Sequence, residues 1–151
     1  MLKYSLLGVL LVSITVIIHA IGTTRWLLRL SRRFAGVVDL HRPSRSLRIL
    51  TSTIVVLMAL HIVEIVVWAL AYLYLLPANV LGSFEEATYF SFVTFTTLGY
   101  GDITFTDEWR ILSGIESLNG ILLLGWSTAM LFAVVQRTWK DMLKEIADHI
   151  D

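Results

Sequence analysis

The sequence predicts an all-α membrane protein with three transmembrane helices and a shorter helix that does not span the bilayer. Of its 151 residues, 56% are hydrophobic and only 16% are charged, and the mean hydropathy is +0.75. That composition is too apolar for a soluble domain of this size, so the bilayer is the expected solvent for most side chains. The chain has no cysteine, which excludes disulfides, thiolate metal sites and thiol redox chemistry. No Gly-rich phosphate loop and no cluster of His and carboxylate residues stands out, so no cofactor site is expected.

Four apolar stretches carry this prediction, at residues 5–22, 50–76, 84–96 and 111–135. A spanning helix needs about 20 residues, so the first, second and fourth stretches can cross the bilayer and the third cannot. The first stretch belongs to a predicted N-terminal transmembrane helix at 1–24. A cleaved signal peptide is the alternative, because Ala20-Ile21-Gly22 is loosely like a cleavage site. The arginines that follow oppose export, and we predict an uncleaved helix.

Charge is segregated along the chain, which predicts its orientation. Residues 25–48 contain seven arginines and one acid, whereas residues 77–110 contain five acids and one basic residue. Because Lys and Arg remain on the cytoplasmic side, residues 25–48 and a short helical tail at 138–151 are predicted to be cytoplasmic and the N-terminus external. Within this basic interfacial segment, we expect residues 25–38 to form a helix that lies in the inner interface. A voltage-sensor role is less favoured, since the segment is short and lacks the other helices of such a sensor.

A seven-residue motif joins the third and fourth stretches. It is Thr96-Thr97-Leu98-Gly99-Tyr100-Gly101-Asp102. Successive carbonyl groups can face one axis only where the backbone takes unusual φ angles, and Gly99 and Gly101 supply positive φ at little steric cost. The motif resembles the pore signature of the potassium channel family, whose carbonyl oxygens replace the water shell of the ion. The resemblance is to the small form with two helices and a pore loop, and it covers about residues 50–137.

This resemblance implies a potassium-selective ion channel that is not an enzyme and that needs no cofactor besides the permeant K⁺. It assigns a pore domain to residues 49–137, made of an outer helix at 50–76, a re-entrant pore helix at 84–96, a selectivity filter at 97–101 and an inner helix at 111–135. K⁺ is expected at the first four filter residues, before Gly101: Thr97, Leu98, Gly99 and Tyr100. One chain supplies one loop, so the resemblance implies a homotetramer in the cell membrane, in contact with lipid and not with nucleic acid.

The start of the short helix is predicted by its own residues. Ser83 and Glu86 have the spacing of a capping box, which places the first helical residue at Phe84. At the other end, Thr96 can bond to nearby backbone and steady the loop.

Residues around the motif have supporting roles by the same resemblance. Val93 stands where some family members carry a carboxylate that pairs with the acid after the filter, here Asp102. Tyr89 can bond to Asp102 instead. Glu116, in the fourth stretch, can replace the missing carboxylate or can extend to water at the interface, and the sequence favours neither.

Two glycines in the fourth stretch are candidate gating hinges. Gly120 fits the family's spacing after the filter best, and Gly125 is next. Close helix packing is the ordinary role of glycine in a membrane helix.

Glu64 lies near the middle of the second span, where an acidic residue costs roughly 2.5–3.5 kcal/mol. It is therefore expected to face protein, with His61 on the same face. Its predicted partners are Ser13 or Thr15 of the first span, or the end of the short helix. A structural hydrogen bond is favoured over a proton-linked control of opening.

Three other functions compete with the selective channel. A nonselective cation channel usually breaks the Gly-Tyr-Gly sequence, which this chain keeps at 99–101. A potassium transporter joins four pore loops in one chain, and the length of 151 residues opposes that. A non-conducting modulatory subunit would have no use for an intact motif.

Overall fold

The computed structural model describes residues 2–34, 43–75, 81–105 and 109–148. They form four helices in the order α1 (Leu2–Phe34), α2 (Pro43–Leu75), α3 (Phe84–Phe95) and α4 (Trp109–Asp148), and these described ranges contain no strand. Three helices have segments long and apolar enough to cross a membrane, at Leu2–Arg32, Ser46–Leu75 and Trp109–Trp139. The predicted all-helical membrane protein with three long apolar helices is confirmed.

The first helix extends beyond residue 24, where the sequence predicted that it would end. It continues to Phe34, so Arg25, Arg29 and Arg32 lie exposed on its last turns rather than on a separate interfacial helix. The physical reason is that no proline or glycine follows Gly22 before Gly36, and Arg and Leu favour helix. Trp26 fixes this end to α2, where its indole N–H donates to the Thr53 hydroxyl at 3.1 Å. Residues 35–42 of the predicted basic segment lie outside the described residues.

The short helix packs against two of the three long helices. Helix α1 packs on α2 and α4, while α3 packs on α2 and α4. Aromatic rings fill the space between α2, α3 and the loop before α4: Tyr72 lies 5.2 Å from Phe90 and 5.3 Å from Phe105, between ring centroids. Trp68 is fully buried on the same face of α2. These contacts set the position of α3 and therefore of the motif that follows it.

Helix α4 approaches the end of α3 at Gly120. A Cβ atom there would overlap the carbonyl oxygen of Phe95, the last residue of α3. Nothing lies within 4 Å of a Cβ built at Gly125. Helix α4 is continuous through both glycines. Gly120 is therefore a packing contact, and Gly125 has the freedom that the hinge hypothesis requires.

Candidate functional site

Helix α3 begins as its capping box predicts. Ser83 has an extended backbone, and its hydroxyl accepts a hydrogen bond from the Glu86 amide at 3.1 Å. The Glu86 carboxylate bonds back to the amide of Gly82 at 2.6 Å, one residue before the expected one. Glu85 and Glu86 occupy the first turn, where the helix dipole favours acids. Helix α3 ends at Phe95, with Thr96 as its C-cap, so the predicted bounds are correct to one residue.

The motif after α3 has an alternating backbone. Thr97, Gly99 and Gly101 have φ angles of 59°, 57° and 80°, whereas Leu98 and Tyr100 do not have positive φ. Alternation between left-handed and right-handed conformations points successive amides to one side and successive carbonyls to the other. The positive φ angles of the two glycines were predicted from the sequence. That of Thr97 was not, because a positive φ at a β-branched residue costs on the order of 1–3 kcal/mol and persists only where the surrounding structure enforces it.

Hydrogen bonds to α3 hold this backbone in place. The amides of Leu98 and Gly99 both point at the carbonyl oxygen of Val93, at 2.9 and 3.4 Å, and the Thr97 amide donates to Thr94 at 3.0 Å. In a planar trans peptide each amide points opposite to the carbonyl that precedes it, so the carbonyls of Thr96, Thr97 and Leu98 face away from α3. The Leu98 and Tyr100 side chains are 55% and 68% exposed in the single chain.

Asp102, the last residue of the motif, has Tyr89 as its hydrogen-bond partner, as predicted. The Tyr89 hydroxyl donates to its carboxylate at 2.6 Å, and the Ile103 amide donates to the other oxygen at 3.1 Å. The Tyr89 hydrogen bond lowers the pKa of Asp102 below the ordinary carboxyl value. The same bond to the carboxylate raises the pKa of Tyr89. The pair therefore joins α3 to the C-terminal end of the motif.

Glu116 does not extend to water, and its hydrogen bond goes to α2 rather than to Asp102. It is fully buried and accepts a hydrogen bond from the Tyr72 hydroxyl at 2.8 Å. Glu116 thus ties α4 to α2, and Tyr89 provides the bond to Asp102. Asn119, one turn later, donates to the Thr15 hydroxyl at 2.8 Å and ties α4 to α1.

Four buried polar side chains meet near the middle of the three long helices. We call them the Glu64 cluster: His19, His61, Glu64 and Ser127. The Glu64 carboxylate contacts Nδ1 of His19 at 2.8 Å and Nδ1 of His61 at 2.9 Å. The Ser127 hydroxyl contacts Nε2 of His61 at 2.9 Å and Nε2 of His19 at 3.3 Å. These contacts join α1, α2 and α4.

The cluster corrects the expected partners of Glu64. Ser13 bonds to the backbone of its own helix, and Thr15 bonds to its own helix and to Asn119. Histidine and carboxylate groups do gather, contrary to expectation, and one ligand atom from each of His19, His61 and Glu64 lies within 4.8 Å of the others. His19 and Ser127 were missed because a single polar residue in an apolar span shows no periodic pattern. Their similar depth in the predicted spans was the available clue.

The chain matches a known protein family. Residues 48–137, more than half of the chain, match the ion channel family, whose members have two transmembrane helices and resemble potassium channels. The chain belongs to this family, and the resemblance inferred from the motif is confirmed. No curated protein and no solved structure matches the chain. The matched residues include nearly all of α2, all of α3 and α4 to Arg137, and α1 precedes them.

Proposed function

We propose that this ion channel is selective for K⁺ and conducts it passively through residues 97–101. The observation that carries the proposal is the alternating backbone at Thr97, Gly99 and Gly101. It is supported by the amides of Thr97, Leu98 and Gly99, which donate to carbonyl groups of α3. Carbonyl oxygens on the opposite side are the groups that replace the hydration shell of K⁺. We assign ion positions to Thr97, Leu98, Gly99 and Tyr100.

A homotetramer is part of this proposal. One chain supplies one column of carbonyl oxygens, and a ring around an ion needs four. The motif occurs once in the chain. Four copies arranged around an axis would bring the exposed side of residues 97–101 to that axis. The C-terminal end of α3 carries the negative end of its helix dipole, which favours a cation there. In this arrangement α3 is the re-entrant pore helix. It enters the membrane from the outer side, and the motif that follows it returns to that side.

Reversal potentials test the selectivity. The purified protein in planar bilayers, with unequal K⁺ and Na⁺ on the two sides, should reverse near the K⁺ equilibrium potential. Gly101→Ala should reduce selectivity or current, because an L side chain is strained at a φ of 80°. Gly114→Ala is the matched control, since no atom of the described residues lies within 4 Å of a Cβ at Gly114. A reversal potential indifferent to K⁺ would show a nonselective channel, and absence of current would favour a modulatory subunit.

A further inference from the structure

The Glu64 cluster is separate from residues 97–101 and has no part in the proposed selectivity. All four of its side chains are buried, and His19 and Glu64 are completely so. In the part of the chain that the structure describes, the polar contacts of Glu64 are with the two imidazoles. A carboxylate at this depth requires a compensating positive charge, because an isolated buried charge is very costly.

Counting hydrogens shows that a cation, either a metal ion or one extra proton, would satisfy every contact of the cluster. If Glu64 is ionised, it accepts the Nδ1 hydrogens of both neutral histidines, which leaves both Nε2 atoms as acceptors. Ser127 contacts both Nε2 atoms but has one hydroxyl hydrogen, so it can donate to one of them only. One contact then joins two acceptors, and the net charge of the cluster is negative. A bound cation removes both problems.

We propose that the Glu64 cluster binds a divalent transition metal of the zinc class. Its ligands are Nδ1 of His19, Nδ1 of His61 and the carboxylate of Glu64. Two imidazoles and a carboxylate are a ligand set that zinc uses, with a fourth position left for water or another ligand. Ligand bonds of about 2.0–2.2 Å place the ligand atoms of a tetrahedral ion roughly 3.4 Å apart, so the present contacts of 2.8 and 2.9 Å would widen by about half an ångström. The three ligand atoms now lie within 4.8 Å of one another, and those more than about 3.4 Å apart would move closer.

The Ser127 contacts fit the metal-bound state. With Nδ1 on the metal, each histidine carries its hydrogen on Nε2 and donates it outward, as metal-bound histidines usually do. The Ser127 oxygen has two lone pairs and can accept both hydrogens. The metal then connects α1 to α2 directly and to α4 through Ser127. Because α1 precedes the family match at 48–137, the site would attach this additional helix to the channel domain.

Metal content tests the proposal without any measurement of conduction. The full chain, purified in detergent without chelator and with any affinity tag removed, should contain about one zinc-class ion per chain by mass spectrometry, as expected for one three-ligand site. After the metal is stripped, Co²⁺ titration should produce visible absorption bands that saturate at the same stoichiometry. His19→Gln and Glu64→Gln should lose the bound metal and the bands. Glu116→Gln, which changes another buried acid, should keep both.

Two outcomes would contradict the proposed metal site. If the wild-type chain holds no metal and Co²⁺ produces no bands, the proposal is wrong and the missing cation is an extra proton. If His19→Gln and Glu64→Gln retain the metal, the ion is adventitious. If these variants fail to fold, the Co²⁺ titration of the wild-type chain decides by itself. Failure of the K⁺ selectivity proposal would leave all of these measurements unchanged.

Discussion

The hydrogen bond from Tyr89 to Asp102 joins α3 to the end of the motif, and it should set how the channel responds to acid. The bond lowers the pKa of Asp102. The bond therefore stabilises the fold at pH values above the ordinary carboxyl pKa. This stabilisation is lost as the pH falls through the lowered pKa of Asp102. In Tyr89→Phe the pKa of Asp102 should rise toward its ordinary value. We expect current through the variant to decline at a higher external pH than current through the wild type.

Recordings at a series of external pH values would measure this difference. Tyr74→Phe is the matched control, because Tyr74 is an exposed tyrosine at the end of α2. Its acid response should equal that of the wild type. If Tyr89→Phe also has the wild-type acid response, the Tyr89 bond does not protect the motif.

Single residues were predictable where their role depends on local chemistry. Gly99 and Gly101 could be assigned positive φ because glycine is the residue that tolerates it. Thr97 could not, because its conformation is imposed by the end of α3. The contact between His19 and Glu64 joins residues 45 positions apart. No local pattern predicts such a pair, and it follows only once the helices are packed.

At the scale of elements, the ends of α3 were predictable and the end of α1 was not. Ser83 and Glu86 mark the start of α3 by a hydrogen bond that the sequence implies directly. The expected end of α1 at residue 24 rested on a change of composition from apolar to basic residues. A change of composition does not break a helix when the residues on both sides favour helical backbone, so α1 continues to Phe34.

The contact of α4 with the end of α3 predicts a large effect of Gly120→Ala. The added Cβ overlaps the Phe95 carbonyl, a backbone group that cannot rotate away. Overpacking of this kind costs about 1–3 kcal/mol. We expect a lower thermal unfolding midpoint in detergent, together with reduced current because α4 moves away from α3.

Gly125→Ala is the comparison on the same helix, since its Cβ meets nothing in the chain. Alanine favours helix over glycine by about 0.8–1.0 kcal/mol, so its unfolding midpoint should equal or exceed that of the wild type. If Gly125 is the gating hinge, this variant should change the open probability while remaining stable. Equal unfolding midpoints for the two variants would contradict the packing role of Gly120.

At the scale of the whole molecule, two separate features of the sequence favour the same proposed orientation. The arginines of residues 25–48 favour the cytoplasm, and residues 97–101 would need to lie toward the outer face to act as the filter of a potassium channel. The distribution of arginines and the position of the motif are separate properties of the sequence. The arginines at 25, 29 and 32 are exposed at the end of α1, and Glu85 is exposed at the start of α3. The proposed orientation places these two ends on opposite sides of the membrane.

Cysteine labelling tests this orientation cleanly because the chain has no cysteine of its own. In intact cells, a membrane-impermeant maleimide should label Glu85→Cys, which lies on the first turn of α3. It should label Ser31→Cys, an exposed position near the end of α1, only after the membrane is permeabilised. The wild-type chain gives the background in both conditions. Labelling of Ser31→Cys from outside would reverse the assigned topology, because the positive-inside rule would then fail for the most basic segment of the chain.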